Sequence, residues 1–430
     1  MNSKQLKIQL MLLLTVIFLG NSLFIFDTSA FTYSNPSTTP LWTYSTEKQY
    51  ISAVSISSDG NYIAAASENL VYDISIKANG TLFLFDNLNS TIKSPLWNYS
   101  ISNSFFSLAI SLNGSHIVAG GGYFDATVYL FNNSKSSPEW AYPAYGWVYD
   151  VAIADNYIAA ACGQRYKALL FKTTDSSPTK SYSTTGITLR TAISSNGSFM
   201  AATDNTANLY FFNTSKSSPD WTFTLSGDMS VALSISANGN YVASGGDKVY
   251  LFNKSASIPI WTYDTSDDIT SIKISKDGNY IVAGSSYSDR SIYLFDRLSS
   301  IPEWIYTTRG EISSVAISTN GDYIAALSTD NFIYLFNRSS SIPVWRYRLD
   351  GYPTASYDYG LDISSDGKYI VVGGRHFVYL FDRDIIRAPK LIIPGYNLPL
   401  MLIIIGVIFF TNFIAVFHNF KKHKARLQIK

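Results

Sequence analysis

The sequence predicts an all-β fold, an eight-bladed β-propeller, from three features of an internal repeat. A fifteen-residue stretch, VYLFNNSKSSPEWAY at Val128–Tyr142, returns with few changes at Val249–Tyr263, Ile292–Tyr306 and Ile333–Tyr347. An alternating apolar run, an Asx-Gly turn and a second apolar run precede the copies, a pattern typical of antiparallel β-hairpins. The phenylalanine that ends the VYLF run recurs every 40 to 46 residues. Four short strands in each of eight units indicate radially stacked sheets.

Each unit is expected to contain strand A, a turn, strand B, a variable loop, strand C, a Ser/Pro turn and strand D. Strand C ends at Phe85, Phe131, Phe171, Phe212, Phe252, Phe295, Phe336 and Phe381. The turns between strands A and B are Asp59-Gly60, Asn113-Gly114, Asn196-Gly197, Asn238-Gly239, Asp277-Gly278, Asn320-Gly321 and Asp366-Gly367. These dipeptides tolerate the positive φ angles that a tight two-residue turn requires. The third unit, IADNYIAAA, lacks the glycine.

The phase of the repeat predicts how the ring closes. A lone strand D, LWTY at Leu41–Tyr44, precedes the first strand A, and the eighth strand C at Val378–Phe381 has no strand D after it. The N-terminal strand D is therefore expected to complete the last blade, which would close the ring without an open sheet edge. Seven blades are the alternative, and they would leave one complete unit unplaced.

A tryptophan recurs at one equivalent position of strand D. It is found in seven of eight units, at Trp42, Trp97, Trp140, Trp221, Trp261, Trp304 and Trp345, and Lys180 stands there in the remaining unit. Recurrence with the period of the fold indicates packing between blades rather than a cofactor site. Fully burying each aromatic side chain would contribute roughly 2–3 kcal/mol.

Both halves of the unit resemble known propeller repeats over residues 41–382. The A–B half, with its VAIS-x-DG-x-YIAAGS character, resembles WD-repeat propellers. The C–D half, LF(D/N)…P-x-W-x-Y, is similar to the repeats of quinoprotein-like (PQQ-like) propellers, in which a strand-D tryptophan docks between blades. The Trp-Asp ending of WD repeats is absent, so the histidine–aspartate network of that family is not expected. Quinoprotein dehydrogenases use adjacent cysteines, and this chain has only Cys162.

The two ends of the chain predict its compartment. Residues 1–30 are expected to be a signal peptide or, alternatively, an uncleaved anchor, because Lys4 and Lys7 precede an apolar run and Thr28-x-Ala30 suits cleavage. After a linker at 31–40 and the propeller at 41–382, a linker at 383–397 leads to a transmembrane helix at 398–417. The basic tail 418–430 is expected in the cytoplasm and the propeller outside the cell. A buried core helix is the alternative for the apolar segment.

Composition and motifs argue against several function classes. Between the two ends, 25 basic and 30 acidic side chains leave no basic field for nucleic acid. The four histidines are scattered, and the sequence has no HExxH, Walker, Gly-x-Ser-x-Gly or paired-cysteine motif. We therefore expect no catalytic residue, no metal and no cofactor. A degenerate quinoprotein-like enzyme is the weaker alternative, and it would need a convergent polar cluster in the central channel.

Variation between the repeats predicts a binding face. Strand direction places the A–B and C–D turns on one rim, here called the turn rim, and the B–C and D–A connections on the other, the loop rim. The longest connections, Glu68 to Gly80 and Asp350 to Tyr359, lie on the loop rim, where exposed Tyr, Trp and Arg make strong interface anchors. The candidate partner-binding residues are Tyr123, Phe124, Asp125, Tyr145, Trp147, Arg165, Tyr166, Tyr287, Asp289, Arg290, Tyr352, Tyr357, Asp358, Arg375 and His376.

Nine Asn-x-Ser/Thr sequons predict N-glycosylation, and seven of them lie in turns of the turn rim. They are Asn79, Asn89, Asn98, Asn113, Asn132, Asn196, Asn213, Asn253 and Asn337. Turns favour Asn and Ser in any case, so part of this pattern is compositional. Many sequons with one cysteine suit an archaeal cell surface. The stretch IPGYNLPL resembles archaeal C-terminal sorting signals, which implies that the helix and tail could be replaced by a lipid anchor.

Taken together, the sequence predicts a non-enzymatic, membrane-anchored surface propeller that presents its loop rim to an unknown protein or glycan. The alternative is a structural or assembly component of the cell envelope, in which the repeats matter only for shape.

Overall fold

The computed structural model describes residues 32–33, 38–47, 49–68, 80–87, 94–122, 125–163, 165–227, 232–350, 360–385 and 391–392. The chain divides into two compact units, one of residues 35–388 and one of residues 1–34 with 389–430. The larger unit is the propeller. The prediction of eight blades is confirmed, because this unit contains eight four-stranded antiparallel sheets.

The strand bounds follow the predicted A–B–C–D order in every blade. Strands A to D of blade 1 are Tyr50–Ile56, Tyr62–Glu68, Gly80–Asp86 and Trp97–Ile101, and those of blade 2 are Phe105–Ile110, His116–Gly121, Thr127–Asn132 and Trp140–Pro143. Those of blade 3 are Val148–Ile153, Tyr157–Cys162, Lys167–Lys172 and Lys180–Ser183, and those of blade 4 are Thr188–Ile193, Phe199–Asp204, Asn208–Asn213 and Trp221–Thr224. Strands A to D of blade 5 are Ala232–Ile235, Tyr241–Gly245, Lys248–Asn253 and Pro259–Asp264, and those of blade 6 are Ile269–Ile274, Tyr280–Ser285, Ser291–Asp296 and Trp304–Thr307. Those of blade 7 are Ile312–Ile317, Tyr323–Ser328, Phe332–Asn337 and Trp345–Arg348, and those of blade 8 are Leu361–Ile363, Tyr369–Gly373, Phe377–Asp382 and Trp42–Ser45.

The ring closes as the phase of the repeat predicted. Strand Trp42–Ser45 pairs antiparallel with Phe377–Asp382, with Trp42 opposite Leu380, and so becomes strand D of blade 8. The apolar faces of blades 8 and 1 then form a shared core around Ile51 and Leu380. Seven more such cores join each remaining pair of successive blades, so the ring has no open edge.

The strand-D tryptophans dock onto the following blade, as expected. Trp304, for example, packs on Phe336 with ring centroids 5.2 Å apart, and its indole Nε1 donates to the Arg338 carbonyl oxygen at 2.7 Å. Only Trp42 and Trp345 are fully buried, whereas the other five are half-buried, so full burial was an overestimate. Strand D is an edge strand of each four-stranded sheet, and these five rings on it remain partly exposed. Trp42 Nε1 has no hydrogen-bond partner among the described residues.

Blade 3 replaces its missing tryptophan with a tyrosine two residues later. Lys180 stands at the tryptophan position, at the start of strand D. Tyr182 is buried, stacks on Phe212 at a centroid separation of 4.2 Å and donates its hydroxyl to the Lys216 carbonyl oxygen at 3.1 Å. The same docking chemistry, a ring on a strand-C phenylalanine and a hydrogen bond to the C–D turn, is thus retained.

The A–B turns are longer than the predicted two residues. In blade 1, Ser57 to Asn61 connect the strands, and the Ser57 hydroxyl donates to Asp59 Oδ1 at 2.6 Å and accepts from Tyr62 N at 3.0 Å. Only the glycine has positive φ, 74° at Gly60. A Cβ on Gly60 would lie 2.3 Å from the Tyr369 ring of the preceding blade. The turn therefore requires glycine both for its positive φ and for this close approach.

The smaller unit contributes one two-residue ladder in its described part. Thr32–Tyr33 pairs antiparallel with Leu391–Ile392, both inside segments that were predicted to be linkers. Within the described residues, no helix has the length and apolar character needed to span a membrane. The predicted signal or anchor at 1–30, the transmembrane segment at 398–417 and the tail at 418–430 lie outside the described residues and stay predictions.

Candidate functional site

Backbone strain separates the loop rim from the turn rim. All seven non-glycine residues with positive φ in the described part of the chain lie on the loop rim, at Glu47, Ala126, Tyr145, Tyr166, Ala207, Arg290 and Asn331. On the turn rim, the positive-φ positions of the A–B turns are all glycine. A left-handed conformation costs a residue with a Cβ about 1–2 kcal/mol, and such strain clusters at functional surfaces.

Five of these strained residues occupy one equivalent slot, directly before strand C. The slot holds Ala126, Tyr166, Ala207, Arg290 and Asn331 in blades 2, 3, 4, 6 and 7. Its backbone is firmly bonded: Tyr166 N donates to the Gly163 carbonyl oxygen at 3.0 Å, and the Tyr166 carbonyl oxygen accepts from Thr184 N at 2.9 Å. Two blades thus place a large side chain where the backbone favours glycine or asparagine.

The junction of blades 2 and 3 brings four of the predicted binding residues together. The guanidinium of Arg165 lies over the Tyr145 ring, 4.2 Å from its centroid, and forms no ion pair within the described residues. Tyr145 is 60% exposed, and Tyr166, which follows Arg165 in the chain, is 48% exposed. Trp147 lies directly before strand A of blade 3, and its ring centroid is 5.5 Å from that of Phe106 and 5.4 Å from that of Tyr149. The sequence analysis did not predict Phe106 and Tyr149 as site residues, because both lie in strands and not in the connections of the loop rim.

A second, smaller group lies where blade 8 meets blade 1. His376 packs on Tyr50 with ring centroids 4.9 Å apart, and Arg375 Nη2 donates to the Tyr50 hydroxyl at 3.4 Å. Tyr50 was not predicted as a site residue. Tyr287 on blade 6 is 74% exposed and stands apart from both groups in sequence. Among the predicted residues that the structure describes, contacts thus join two groups, and Tyr287 lies with Asp289 and Arg290 in the B–C loop of blade 6.

Two predicted binding carboxylates have a local structural partner. Both oxygens of Asp125 accept from the Tyr129 hydroxyl, at 2.9 and 2.8 Å, and Asp289 Oδ2 accepts from the Tyr293 hydroxyl at 2.6 Å. Equivalent pairs join Asp204 with Tyr210 and Asp330 with Tyr334. Burial and the neighbouring carboxylate raise the pKa of each of these tyrosines, so the hydroxyl stays protonated and donates.

These Asp–Tyr pairs fasten the B–C loop to strand C inside a blade. The recurring separation of four residues between Asp and Tyr was visible in the sequence in three units, but it was not recognised. The remaining predicted site residues, Tyr123, Phe124, Tyr352, Tyr357 and Asp358, lie outside the described residues, as do the sequons Asn79 and Asn89.

The central channel contains a polar group that the sequence did not predict. Lys273, Lys276 and Asp362 line a cavity of about 250 Å³ at the turn-rim end of the channel. Lys276 Nζ donates to the Ser58 and Ser365 hydroxyls at 3.0 and 3.3 Å. Burial in the channel lowers the pKa of the Lys276 ammonium, although the negative charge of Asp362 acts to raise it.

Asp362 is held by strands of two blades. Its carboxylate accepts from Ser55 Oγ and Ile56 N, both at 3.0 Å, and from Ile363 N at 2.8 Å. Desolvation inside the channel raises the pKa of this carboxyl, although the hydrogen bonds oppose the shift. Since these groups are bonded to the channel wall, the cluster braces blades 6, 8 and 1 against one another.

A series of backbone hydrogen bonds joins blades at the same end of the channel. The residue after the A–B serine donates its N–H to the equivalent carbonyl of another blade, with Ser58 to Leu112, Ser195 to Ala237, Ala237 to Lys276, Thr319 to Ser365 and Ser365 to Ser58 at 2.9–3.0 Å. Each bond joins neighbouring blades. These bonds fasten blades to their neighbours at the turn rim.

Six of the sequons have a turn-forming role in the structure. Asn213 Oδ1, for example, accepts from Ser215 N at 3.0 Å and from Ser215 Oγ at 2.7 Å, and Asn132 and Asn337 do the same with Ser134 and Ser339. Asn113, Asn196 and Asn253 also accept from the backbone two residues on. Aspartate fills this role at Asp296. Turn chemistry thus accounts for these asparagines, and their glycosylation stays a prediction.

The described residues contain no group of three or more His, Cys, Asp or Glu side chains that could hold a metal ion. Cys162 is buried, which raises the pKa of its thiol to about 12. The described part of the loop rim carries aromatic rings and guanidinium groups on strained turns, and these residue types dominate the binding energy of protein interfaces.

Comparison with solved structures shows the same fold. Sqt1 from Chaetomium thermophilum is 17% identical, with a TM-score of 0.68, over 80% of this chain and 99% of that one. A second structure, of Chaetomium thermophilum Sqt1 bound to the N-terminus of the ribosomal protein L10, is 18% identical with a TM-score of 0.66, over 80% of this chain and 100% of that one. No curated protein matches the sequence.

A family model supports the type of repeat. The model described as WD domain, G-beta repeat, matches residues 38–86, 257–296 and 302–337. Each match begins with strand D of one blade and continues through strands A, B and C of the next, the same offset that closes the ring. The eight blades and these matches together support a β-propeller of the WD-repeat type.

Proposed function

We propose that this protein is a non-enzymatic interaction propeller that binds a protein partner through its loop rim. The observation that carries the proposal is the confinement of bulky, strained residues to that rim, with Tyr145, Tyr166 and Arg290 all at φ of 54–55°. The fold does not require these side chains, because blades 2 and 4 place alanine in the same slot as Tyr166. Strain that the fold does not require is a reason to look for function.

The chemistry of the blade 2–3 junction indicates the kind of partner segment. Exposed Tyr145 and Tyr166 offer flat apolar area with a polar hydroxyl, and Arg165 offers a cation without an ion-pair partner in the described region. A protein segment with an apolar side chain beside a carboxylate would satisfy both. Tyrosine and arginine are the residue types that dominate binding energy at such interfaces. WD-type propellers in general bind protein partners, and the similar Sqt1 propeller binds the N-terminus of a protein.

Loop-rim variants test this proposal directly. The full-length chain, purified in detergent, is used to capture partners from envelope extracts, and captured proteins are identified by mass spectrometry. Tyr145→Ser with Arg165→Ser should lose the partner while the melting temperature changes little, because both side chains are exposed. The matched turn-rim variant, Asn213→Ser with Asn253→Ser, should retain it. The reverse pattern would place the binding face on the turn rim.

A structural role in the envelope makes a different prediction. It requires self-association of the propeller, which size-exclusion chromatography with light scattering would detect as dimers or larger assemblies of the full-length chain. If loop-rim variants abolish self-association and no other protein is captured, the structural role replaces the binding role.

We further propose that the C-terminal segment holds the propeller on the outer face of a membrane. The support is the 27-residue uncharged run from Leu391 to Phe417, followed by five Lys/Arg and no acid. Protease added to intact cells should degrade the propeller, if it is cleavable, and spare a tag on the tail. Degradation of the tail tag alone would contradict this topology.

A further inference from the structure

The C–D turns divide the propeller into two chemically different arcs. Blades 2, 3 and 4 carry serine before the turn proline, at Ser137, Ser177 and Ser218, whereas blades 5, 6 and 7 carry isoleucine, at Ile258, Ile301 and Ile342. These isoleucines are 77%, 75% and 72% exposed, and Leu298 in the blade 6 turn is 83% exposed. The four side chains are here called the isoleucine ridge, an apolar arc on three successive blades of the turn rim.

The fold itself does not need the ridge. In blades 2 to 4, serine occupies the equivalent turn position. An Asx turn at Asn132 or Asn213 precedes it in blades 2 and 4, and in blade 3 the Ser177 amide itself donates to Asp175 Oδ1. In blades 6 and 7, the Ile301 and Ile342 amides are bonded to Ser299 and Ser340 hydroxyls, which orients the turn but leaves the isoleucine side chains in solvent. Exposed apolar side chains gathered on one arc indicate a surface that something covers.

We propose that the isoleucine ridge lies in the headgroup region of a lipid bilayer, a proposal that rests on the membrane anchoring proposed above. Both ends of the propeller leave blade 8 at the turn rim, where the Thr38 hydroxyl is hydrogen-bonded to the Ile385 carbonyl oxygen. Blade 8 follows blade 7, so the ridge begins beside the point where the chain leaves.

The length of the connecting segment keeps the turn rim near the bilayer. Twelve residues, 386–397, separate Ile385 from the predicted membrane segment that begins at 398, a reach of at most roughly 45 Å. A propeller of this size is about 50 Å across. This connecting segment is therefore shorter than the propeller is wide. The arc of blades 5 to 7 is the apolar part of the turn rim that the segment allows to reach the bilayer.

The charges around the ridge fit a neutral lipid surface rather than a strongly anionic one. Lys254, Arg297 and Arg338 lie in these turns, but Asp296 and Glu303 lie there too. The Arg297 and Arg338 guanidinium groups lie over tyrosine rings of the preceding blade, 4.5 and 4.2 Å from the ring centroids. Apolar contact, and not charge, would thus hold the rim against the membrane.

Glycosylation and membrane contact exclude each other at two of these turns. Asn253 and Asn337 lie five residues before Ile258 and Ile342, and a glycan there would hold the ridge away from lipid. The experiment therefore uses full-length protein made in a bacterial host without N-glycosylation, inserted into nanodiscs of phosphatidylcholine with or without doxyl-labelled lipid.

An environment-sensitive fluorophore is attached at Ile258→Cys, Ile301→Cys or Ile342→Cys, one site per sample. The native Cys162 thiol is buried and stays protonated, so it does not react. The matched controls are Ser137→Cys, Ser177→Cys and Ser218→Cys. Ridge labels should show blue-shifted emission and at least about twofold stronger quenching by doxyl lipid than the controls, since an interfacial contact lies about 5–10 Å into the boundary region.

The outcomes distinguish this inference from the topology on which it rests. If carbonate releases the protein from the nanodisc lipid, the proposed anchoring is wrong and the ridge inference falls with it. If the protein stays in the membrane but all six labels are equally water-exposed, the ridge inference alone is wrong. Energy transfer between ridge labels on two copies, without lipid quenching, would instead make the ridge a contact between copies and would also overturn it. In a variant with serine at all three isoleucine positions, a label at Leu298→Cys should lose its lipid quenching.

Discussion

Replacing Tyr166 with glycine should stabilise the propeller and impair binding at the same time. Tyr166 has φ 54° in the slot before strand C of blade 3, and its side chain is 48% exposed. Its two backbone hydrogen bonds, to the Gly163 carbonyl oxygen and from Thr184 N, do not involve the side chain and would remain in the variant. The substitution therefore removes strain and little packing.

The size of the gain follows from two opposing terms. Relief of the left-handed strain contributes about 1–2 kcal/mol, and the extra freedom of glycine in the unfolded chain costs about 0.5–1 kcal/mol. The free energy of unfolding should rise by about 0.5–1 kcal/mol. In a domain of this size the melting temperature should rise by roughly 1–2 °C.

Asn331→Gly is the matched control, because Asn331 occupies the same slot in blade 7 at φ 71° with equivalent backbone bonds, to Ser328 O at 3.1 Å and from Leu349 N at 2.8 Å. Asparagine tolerates this conformation, so its replacement should gain less than Tyr166→Gly. Urea unfolding followed by tryptophan fluorescence measures both variants, and partner capture measures function. An equal gain in both variants, or a loss of stability in Tyr166→Gly, would refute the reasoning.

Three further predictions concern the scaffold. Trp42→Ala should lower the free energy of unfolding by about 3–5 kcal/mol, because this buried ring packs on Phe85 at 5.3 Å and closes the ring of blades; an unchanged melting curve would contradict closure by this strand. Tyr334→Phe should lower the free energy of unfolding by about 1.5–3 kcal/mol, because it removes a 2.7 Å hydrogen bond to the Asp330 carboxylate. The control is Tyr287→Phe, which alters an exposed ring. A smaller loss of stability in Tyr334→Phe than in this control would contradict the role of the Asp–Tyr pair. The pKa of Asp362 in the folded protein is above its ordinary value of 3.8, so its ionisation destabilises the fold as the pH rises from about 4 through the folded pKa. The melting temperature of Asp362→Asn minus that of the wild type should therefore increase over this pH range and then level off. A difference independent of pH would show that the carboxyl does not titrate there.

Much of the fold could be predicted because it depends on local, repeated signals. The Asx-Gly turns and the period of the strand-C phenylalanines are written in every unit, and the offset of Leu41–Tyr44 showed the closure. The exact turn form was missed, because the bond from the Ser57 hydroxyl to Asp59 lies outside a two-residue pattern.

Contacts between distant units were beyond the sequence patterns. Lys276 reaches the hydroxyls of Ser58 and Ser365, which lie 218 and 89 residues away in the chain. Strain was equally hidden, since nothing in the residue types of Tyr166 or Arg290 marks a left-handed backbone. The predicted binding residues were found by loop length and residue type alone, and this explains why Asp125 and Asp289 were included although each is bonded to a tyrosine of its own blade.

Site-specific photo-crosslinking in living cells tests the central claim, recognition by the loop rim, most directly. A photo-reactive phenylalanine analogue replaces Tyr145 or Tyr166 on the loop rim of the full-length chain, and Ser137 or Ser218 on the turn rim serves as the matched position. We predict one discrete protein adduct from both loop-rim positions, lost when Arg165→Ala is added, and none from the turn rim. Adducts from Ser137 and Ser218 alone, or adducts only between copies of this chain, would contradict the account.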